Sequence, residues 1–208
     1  MISAREAFRR LQEGNQRFVA GRGDQGASNT IRRGEVAAGQ APFAVILGCS
    51  DSRVPAEIVF DQGLGDLFVI RVAGNIVAPS QIGSVELAAD QFGTRLVVVL
   101  GHSMCGAVIA TVEQLSHPTE ERSRNLRSIV NRIRPAVEGL LETELKNDPD
   151  ALLEKAVRAN IRASANQLRN GSEILEELIE KEGLLVVGAE YSLDSGVVEF
   201  FDGVRDLD

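Results

Sequence analysis

The sequence predicts an α/β fold with a mostly parallel central sheet. We expect about four parallel strands plus a C-terminal antiparallel edge strand, flanked by helices and preceded by an N-terminal helical arm. Short runs of Val, Ile, Leu and Ala bounded by Gly or Pro are typical of strands buried on both faces. Helical patterns between the runs imply right-handed parallel crossovers. The predicted strands cover residues 44–48, 67–72, 95–101, 184–189 and 197–201.

Composition fits one soluble globular domain, which we expect to span residues 1–208. Hydrophobic residues make up 44% of the 208 residues and charged residues 25%, while aromatic residues make up only 4%, so the core should be aliphatic. The formal net charge of -8 argues against a nucleic-acid partner. No apolar run is long enough to span a membrane, and no signal peptide is visible. We therefore expect a cytoplasmic protein whose two cysteines stay reduced.

The helices are predicted from caps and apolar periodicity. Ser3 and Glu6 form a capping box for a first helix, whose apolar stripe could pack on its own sheet or across a partner subunit. This arm occupies residues 1–26, and a polar loop is expected over residues 27–42. Pro55 is expected to start a short helix. Later helices are predicted over residues 80–92, 106–115, 120–144 with an interruption or a kink at Pro135, 149–168, and from a cap at Ser172.

Three reactive side chains follow the first predicted strand. Cys49, Asp51 and Arg53 would share one side if the backbone stayed extended. The carboxyl ends of parallel strands are where such folds bind ligands. These residues are therefore candidates for a functional site.

A second group follows the third predicted strand. His102 and Cys105 are three residues apart, a spacing that shares one face in a helical turn. If the two strands are neighbours, Cys49 converges with them. Two thiolates and one imidazole can bind zinc and leave one tetrahedral position open, as in catalytic sites. Inert core cysteines and redox-active thiols are the alternatives, although the chain has no Cys-x-x-Cys motif.

Asp51 has several possible roles beside such a site. It could be a fourth zinc ligand, a general base or a helix cap. A bidentate pair with Arg53 would orient the carboxylate and hold it ionised, so that it could accept a hydrogen bond from a water on the metal. The alternative is a surface ion pair of little energetic consequence.

The two motifs together resemble the β class of carbonic anhydrases. The resemblance rests on Cys-Ser-Asp-Ser-Arg-Val at residues 49–54 and Gly-His-Ser-Met-Cys-Gly at residues 101–106, with a similar segment over residues 66–75 between them. It implies one Zn²⁺ per chain, held by Cys49, His102 and Cys105. It also implies reversible hydration of carbon dioxide to bicarbonate and a proton, with zinc-bound hydroxide as the nucleophile and an Asp51–Arg53 dyad orienting it.

The resemblance extends to the substrate pocket and to assembly. It implies that Gln40 and the Gly106 amide bind substrate and that Phe68 reaches the pocket of a neighbouring subunit. We therefore expect a homo-oligomer, either a dimer or a dimer of dimers, with the N-terminal arm packing on a partner subunit. Leu87 and Ile46 replace aromatic residues that some members carry, and the latter change removes the anchor of a bicarbonate effector site.

Several alternatives stay open at the level of the sequence. The scaffold could hydrolyse an analogue such as carbon disulfide, it could be a non-catalytic zinc-stabilised binding module, or it could be a redox-sensing thiol protein. In the enzyme, Asp51 could also leave Arg53 and fill the open zinc position at low pH.

Overall fold

A five-stranded sheet with strand order β2-β1-β3-β4-β5 organises the chain. The structure is a computed structural model and describes residues 2–23, 30–118 and 123–205. The first four strands in this order pair in parallel and β5 pairs antiparallel with β4, which confirms the predicted fold class. The strands are β1 (Ala44–Gly48), β2 (Leu67–Arg71), β3 (Leu96–His102), β4 (Leu185–Tyr191) and β5 (Val198–Asp202).

The central strands are buried on both faces, as their uninterrupted apolar sequences predict. Every residue of β1 and β3 is buried. One face of the sheet packs on α1 and α3, and the other packs on α4 to α8. The helices are α1 (Ala4–Val19), α2 (Thr30–Val36), α3 (Ala56–Val59), α4 (Pro79–Gln91), α5 (Gly106–Ser116), α6 (Arg124–Val137), α7 (Pro149–Asn170) and α8 (Glu173–Glu182), with 3-10 turns at Ala73–Asn75, Glu138–Glu142 and Glu144–Asn147.

The predicted helix starts are observed where a side chain caps the first turn. The Ser3 hydroxyl accepts a hydrogen bond from the amide of Glu6 at 3.2 Å. The Ser172 hydroxyl accepts one from the amide of Leu175 at 3.2 Å. Each bond satisfies one of the amides that a helix leaves free at its N-terminus.

The apolar stripe of α1 lies against the sheet of its own chain. Phe8 and Leu11 are buried, and the Phe8 ring meets the Phe200 ring edge-on with centroids 4.7 Å apart. Any contact of α1 with a partner subunit would therefore use its opposite, charged face, and the expected packing on a partner stays a prediction. Met1 and residues 24–26 of the predicted arm lie outside the described residues.

Of the sequence predictions for the connections, one is wrong. The segment expected to be a loop over residues 27–42 contains α2, because Arg32 anchors that helix through tertiary contacts that the sequence does not reveal. The Arg32 guanidinium donates to Leu64 O at 3.0 Å and pairs with Asp66 at 2.8 Å. The interruption expected near Pro135 in the stretch over residues 120–144 is observed: α6 ends at Val137, two residues after Pro135, and 3-10 turns follow. Residues 27–29 and 119–122 lie outside the described residues.

Across the ranges that the structure describes, no helix combines the length and apolar character needed to span a membrane.

Candidate metal centre

Three metal-binding side chains meet at the carboxyl ends of β1 and β3. Cys49 directly follows β1, His102 is the last residue of β3, and Cys105 caps the N-terminus of α5. Because β1 and β3 are adjacent, the two sulfur atoms and an imidazole nitrogen lie within 4.8 Å of one another, and all three residues are buried. The structure thus brings the three predicted zinc ligands together.

The convergence of His102 and Cys105 has a different cause from the predicted one. They do not share a helical turn, because β3 includes His102 and α5 begins only at Gly106. Met104 between them adopts a left-handed backbone with φ 55°, an uncommon conformation for a residue with a side chain. This reversal turns Cys105 back towards the strand end.

His102 is oriented as a metal ligand. Its Nδ1 lies 2.9 Å from Ser103 O, and because a carbonyl oxygen can only accept, Nδ1 must carry the proton. The lone pair therefore lies on Nε2, which is buried and has no hydrogen-bond partner within the described residues. An unpartnered buried nitrogen beside two sulfur atoms fits a metal ion, and the set of two thiols and one imidazole fits zinc.

Ser103 fixes the carbonyl that orients this ring. Its amide donates to Tyr191 O at 3.0 Å, and its hydroxyl accepts from the Leu193 amide at 3.0 Å. The turn after β3 is thereby tied to the end of β4. His102 is oriented by the backbone of this turn rather than by a carboxylate.

The electrostatics of the two thiols also fit a cation. A hydrogen bond from Cys105, supported by His102 and by the Gly74 amide, lowers the Cys49 pKa despite burial. The negative charge on Cys49, together with burial, raises the Cys105 pKa far above its usual range. Without a metal the pair therefore holds one negative charge readily and resists a second. A divalent cation would remove this conflict by stabilising both thiolates.

Asp51 and Arg53 form a bidentate ion pair beside the cluster. Arg53 Nε donates to Asp51 Oδ1 at 2.9 Å and Arg53 Nη2 to Oδ2 at 2.7 Å, and these bonds hold the Asp51 pKa well below its usual range. Asp51 Oδ2 lies 3.9 Å from His102 Nε2. The carboxylate is therefore ionised and next to the candidate ligands, but it is not one of the three.

The backbone that carries this pair is not extended, as the sequence pattern predicted, but forms a turn. β1 ends at Gly48, and the chain turns at Asp51, where the Val54 amide donates to Asp51 O at 3.0 Å. The Arg53 amide also donates to Asp51 Oδ1 at 3.0 Å. A turn stabilised by the Asp side chain, rather than the two-residue period of a strand, pairs Asp51 with Arg53.

Arg71 holds the loop that carries both a ligand and the dyad. From the end of the neighbouring strand β2, its Nε donates to Cys49 O at 3.0 Å and its Nη2 to Asp51 O at 2.6 Å. Arg71 was not among the site residues predicted from the sequence. Its signal was its position at the end of a buried strand, which many structural arginines share.

The three predicted substrate-binding residues lie at opposite ends of the sheet's parallel strands, one at the carboxyl ends and two near the amino ends. Gly106 is the first residue of α5 and lies next to the cluster. Phe68 pairs with Val45 near the start of β1, and Gln40 precedes β1 altogether. Since a strand rises about 3.3 Å per residue, the five residues of β1 place its two ends about 13 Å apart. Within one chain, Gln40 and Phe68 are not brought to the metal centre.

A buried Cys-His-Cys cluster with an ionised carboxylate beside it, at the ligand-binding edge of a parallel sheet, defines a zinc-dependent α/β enzyme. The family model described as carbonic anhydrase matches residues 44–198. The chain belongs to the carbonic anhydrase family, and its structural neighbours are of the β class.

Curated relatives match over nearly the whole chain. The chain is 40% identical over 201 residues to "Carbonic anhydrase 2" of Mycobacterium tuberculosis, covering 97% of this chain and 94% of that protein. It is 36% identical to the carbonic anhydrase of Mycolicibacterium smegmatis, covering 97% of this chain and 95% of that protein.

Solved structures share the same fold. The β-carbonic anhydrase CcaA superposes with a TM-score of 0.74 at 28% identity, covering 96% of this chain and 89% of that one. The β-carbonic anhydrase CafA of Aspergillus fumigatus gives a TM-score of 0.73 at 26% identity, covering 82% and 80% of the two chains.

Proposed function

We propose that this protein catalyses the zinc-dependent, reversible hydration of carbon dioxide to bicarbonate and a proton. The observation that carries the proposal is the cluster of Cys49, His102 and Cys105 with an ionised Asp51 beside it, in a chain of the carbonic anhydrase family. When bound by these three residues, zinc would supply the nucleophile by lowering the pKa of a coordinated water.

The protein groups around this site orient the reactants. Asp51 is held ionised by Arg53 and can only accept hydrogen bonds. It therefore directs the attacking oxygen so that a lone pair, rather than a proton, faces carbon dioxide. Arg71 keeps Cys49 and Asp51 in register by binding both of their carbonyl oxygens. The Gly106 amide, in the first turn of α5 where helix amides lack intrahelical partners, is proposed to bind a substrate oxygen.

A second copy of the chain is proposed to complete the pocket. Gln40 and Phe68 lie near the amino end of β1, whereas Cys49 of the same chain follows its carboxyl end. They can therefore act at a metal centre only in a neighbouring subunit. β2 is the edge strand of the sheet and has partly exposed apolar residues, as expected for a surface that a partner covers. We therefore propose a homodimer or a dimer of dimers.

Other parts of the assignment are also proposals. We propose a single domain over residues 1–208, because one apolar cluster joins the start and the end of the described chain, from Ala4 to Val198, and the other, from Val45 to Val186, covers the opposite face of the same sheet. We propose a cytoplasmic location, because both thiols are required as ligands and a reducing compartment keeps them available. The net charge of -8 favours small-molecule substrates over nucleic acid.

Stopped-flow measurement of carbon dioxide hydration, on protein whose zinc content has been determined, tests the proposal. We expect one zinc per chain and activity that is higher at about pH 8.5 than at about pH 7, since the nucleophile must be deprotonated. The matched variant Cys49→Ser should lose both zinc and activity. Zinc present without hydration would contradict the proposal, and turnover of carbon disulfide instead would identify an enzyme for a substrate analogue.

A further inference from the structure

A buried hydrogen-bond relay connects helix α7 to the candidate ligand Cys49. The Asn160 side chain donates through Nδ2 to Gly74 O at 2.8 Å, and the Gly74 amide donates to Cys49 Sγ at 3.3 Å. We propose that Asn160 is a positioning residue that keeps the Gly74 amide on the Cys49 thiolate and so tunes the metal centre. The inference rests on the metal site of the proposed function and deepens it.

Gly74 occupies a backbone position with little freedom to move. Its φ is 71°, and the next residue, Asn75, is also left-handed with φ 43°. A Cβ at Gly74 would lie 2.8 Å from Ile133 Cδ1 and 3.0 Å from Ala107 Cβ. Glycine adopts this conformation without strain, but the left-handed Asn75 is uncommon for a residue with a side chain and needs its surroundings to hold it. The direction of the Gly74 amide therefore depends on the contacts that hold this turn.

Asn160 supplies the side-chain contact to this turn. It is 2% exposed, and its bond to Gly74 O joins positions 86 residues apart in the chain. A buried carbonyl that loses its donor is strongly disfavoured. The neighbouring Ile161 is fully buried in the core that α7 shares with the sheet, so the position of Asn160 is fixed by packing. α7 thereby sets the orientation of the turn.

The Gly74 amide acts directly on the sulfur. A hydrogen bond to a thiolate stabilises its negative charge, and the Gly74 amide lies 3.3 Å from Cys49 Sγ. A stabilised thiolate donates less charge to a bound metal, which leaves the metal more electrophilic. It also fixes the sulfur in position before the metal binds, as partners of metal ligands commonly do.

Cobalt substitution and zinc release test the relay without relying on activity. In Asn160→Leu, Co²⁺ should still bind, but the thiolate-to-cobalt charge-transfer band should move to longer wavelength, because the sulfur charge is less stabilised. Zinc transfer from the holoenzyme to EDTA should accelerate roughly 10-fold, in line with other changes to partners of metal ligands. Asn160→Ser, whose hydroxyl is too short to reach Gly74 O, should give the same two changes and serves if the Leu variant does not fold.

Asn15→Leu is the matched control. Asn15 is also buried and also donates to backbone carbonyls, Val59 O at 3.1 Å and Gly196 O at 2.9 Å, but these bonds connect α1 to elements away from the metal ligands. It should lower the unfolding temperature and leave the cobalt band and zinc release unchanged. The inference is overturned if Asn160 variants match the wild type, or if Asn15→Leu alters both readouts equally. A wild-type protein that binds neither metal would instead overturn the proposed function.

Discussion

At the scale of single residues, the Asp51 carboxylate combines two properties that a catalytic acceptor needs. Arg53 binds both of its oxygens and keeps it ionised, while Arg71 fixes its backbone carbonyl. Its Oδ2 lies 3.9 Å from His102 Nε2, beside the three candidate ligands but not among them. Orientation and charge are therefore separable from metal binding.

Replacing Asp51 with Asn should separate these functions. Because Asp51 is not among the three clustered ligands, Asp51→Asn should retain one zinc per chain. The amide carries no charge, and its NH₂ group cannot accept a hydrogen bond, so kcat/KM should fall by roughly 100-fold. Stopped-flow hydration and zinc determination on the same sample measure both effects.

Asp202→Asn is the matched control for that variant. Asp202 also pairs with an arginine, Arg169, at 2.7 Å, but it lies on the edge strand β5 away from the cluster. This change should leave both kcat/KM and zinc content unaltered. An equal loss of activity in the two variants would show that ion pairing in general, rather than the Asp51 position, supports catalysis.

Zinc retention should depend on pH because the ligands bind protons as well as metal. Burial lowers the His102 pKa, but the interaction with the nearby Cys49 thiolate outweighs it and raises the pKa overall, so Nε2 takes up a proton more readily than an ordinary imidazole. The raised pKa of Cys105 acts in the same direction. Acidification therefore favours the protonated ligands and weakens zinc binding.

The corresponding measurement is zinc transfer to a chelator at several pH values. Release should accelerate as the pH falls from about 8 to about 5.5, the range in which histidine titrates. Asp51 itself does not titrate in this range, because its pKa is held well below it, but its charge helps to raise the His102 pKa, so Asp51→Asn should shift the profile to lower pH. A release rate independent of pH would contradict the assignment of His102 and the two thiols as ligands.

At the scale of secondary-structure elements, α1 is locked to α3 by close backbone contact. Gly14 lies in α1 where an added Cβ would be 1.8 Å from Phe60 O, immediately after α3. The Gly14→Ala variant must move α1 or α3, which we expect to lower the free energy of unfolding by roughly 1–3 kcal/mol. Urea titration of the two proteins measures this difference.

Gly83→Ala is the control for that substitution. Gly83 lies on an exposed turn of α4, and a Cβ there would meet no atom within 4 Å. Alanine should therefore stabilise the protein by about 0.5 kcal/mol through helix propensity and reduced freedom of the unfolded chain. Destabilisation by both variants would indicate that α4 is covered in the assembled protein.

The helices and strands differ in how well local sequence patterns predict them. Buried strands and capped helices were predicted because uninterrupted apolar runs and Ser caps report burial and helix starts locally. The helix α2 was not predicted, because Arg32 anchors it by contacts with Leu64 O and Asp66, which lie more than 30 residues away in the chain. The turn at Asp51 and the left-handed Met104 were also missed, because periodicity says nothing about where a strand stops.

At the scale of the whole molecule, the sequence pattern by itself predicts the part of the candidate site that lies within one chain. Cys49, His102 and Cys105 could be found from the sequence because each lies next to the end of a predicted buried strand, and parallel strands end at one edge. Asn160 and Arg71 could not, because their contacts depend on packing between elements distant in sequence. Gln40 and Phe68 are proposed to act through a second copy, because both lie far from the Cys49 of their own chain.

A complementation experiment tests this shared pocket. If Gln40 acts on the metal centre of a neighbouring subunit, the defects of the variants Gln40→Ala and Cys49→Ser fall on the same centre of a mixed dimer. One centre then has an intact Cys49 and an intact Gln40 from the other chain, while the second centre has both defects. Since random pairing gives half mixed dimers, each with one complete centre in two, the mixture should reach about a quarter of wild-type activity per chain.

The two variants should be unfolded together, refolded with zinc, and compared with each variant refolded alone. Cys49→Ser alone should be inactive, because it lacks a metal ligand, and Gln40→Ala alone should show its own reduced rate. Activity of the mixture above the mean of the separate samples shows that centres have been completed between chains. If Gln40 acted within its own chain, no mixed dimer would contain a complete centre, and the mixture would give only that mean. The same measurement with Phe68→Ala in place of Gln40→Ala then determines whether Phe68, like Gln40, acts on the metal centre of a neighbouring subunit.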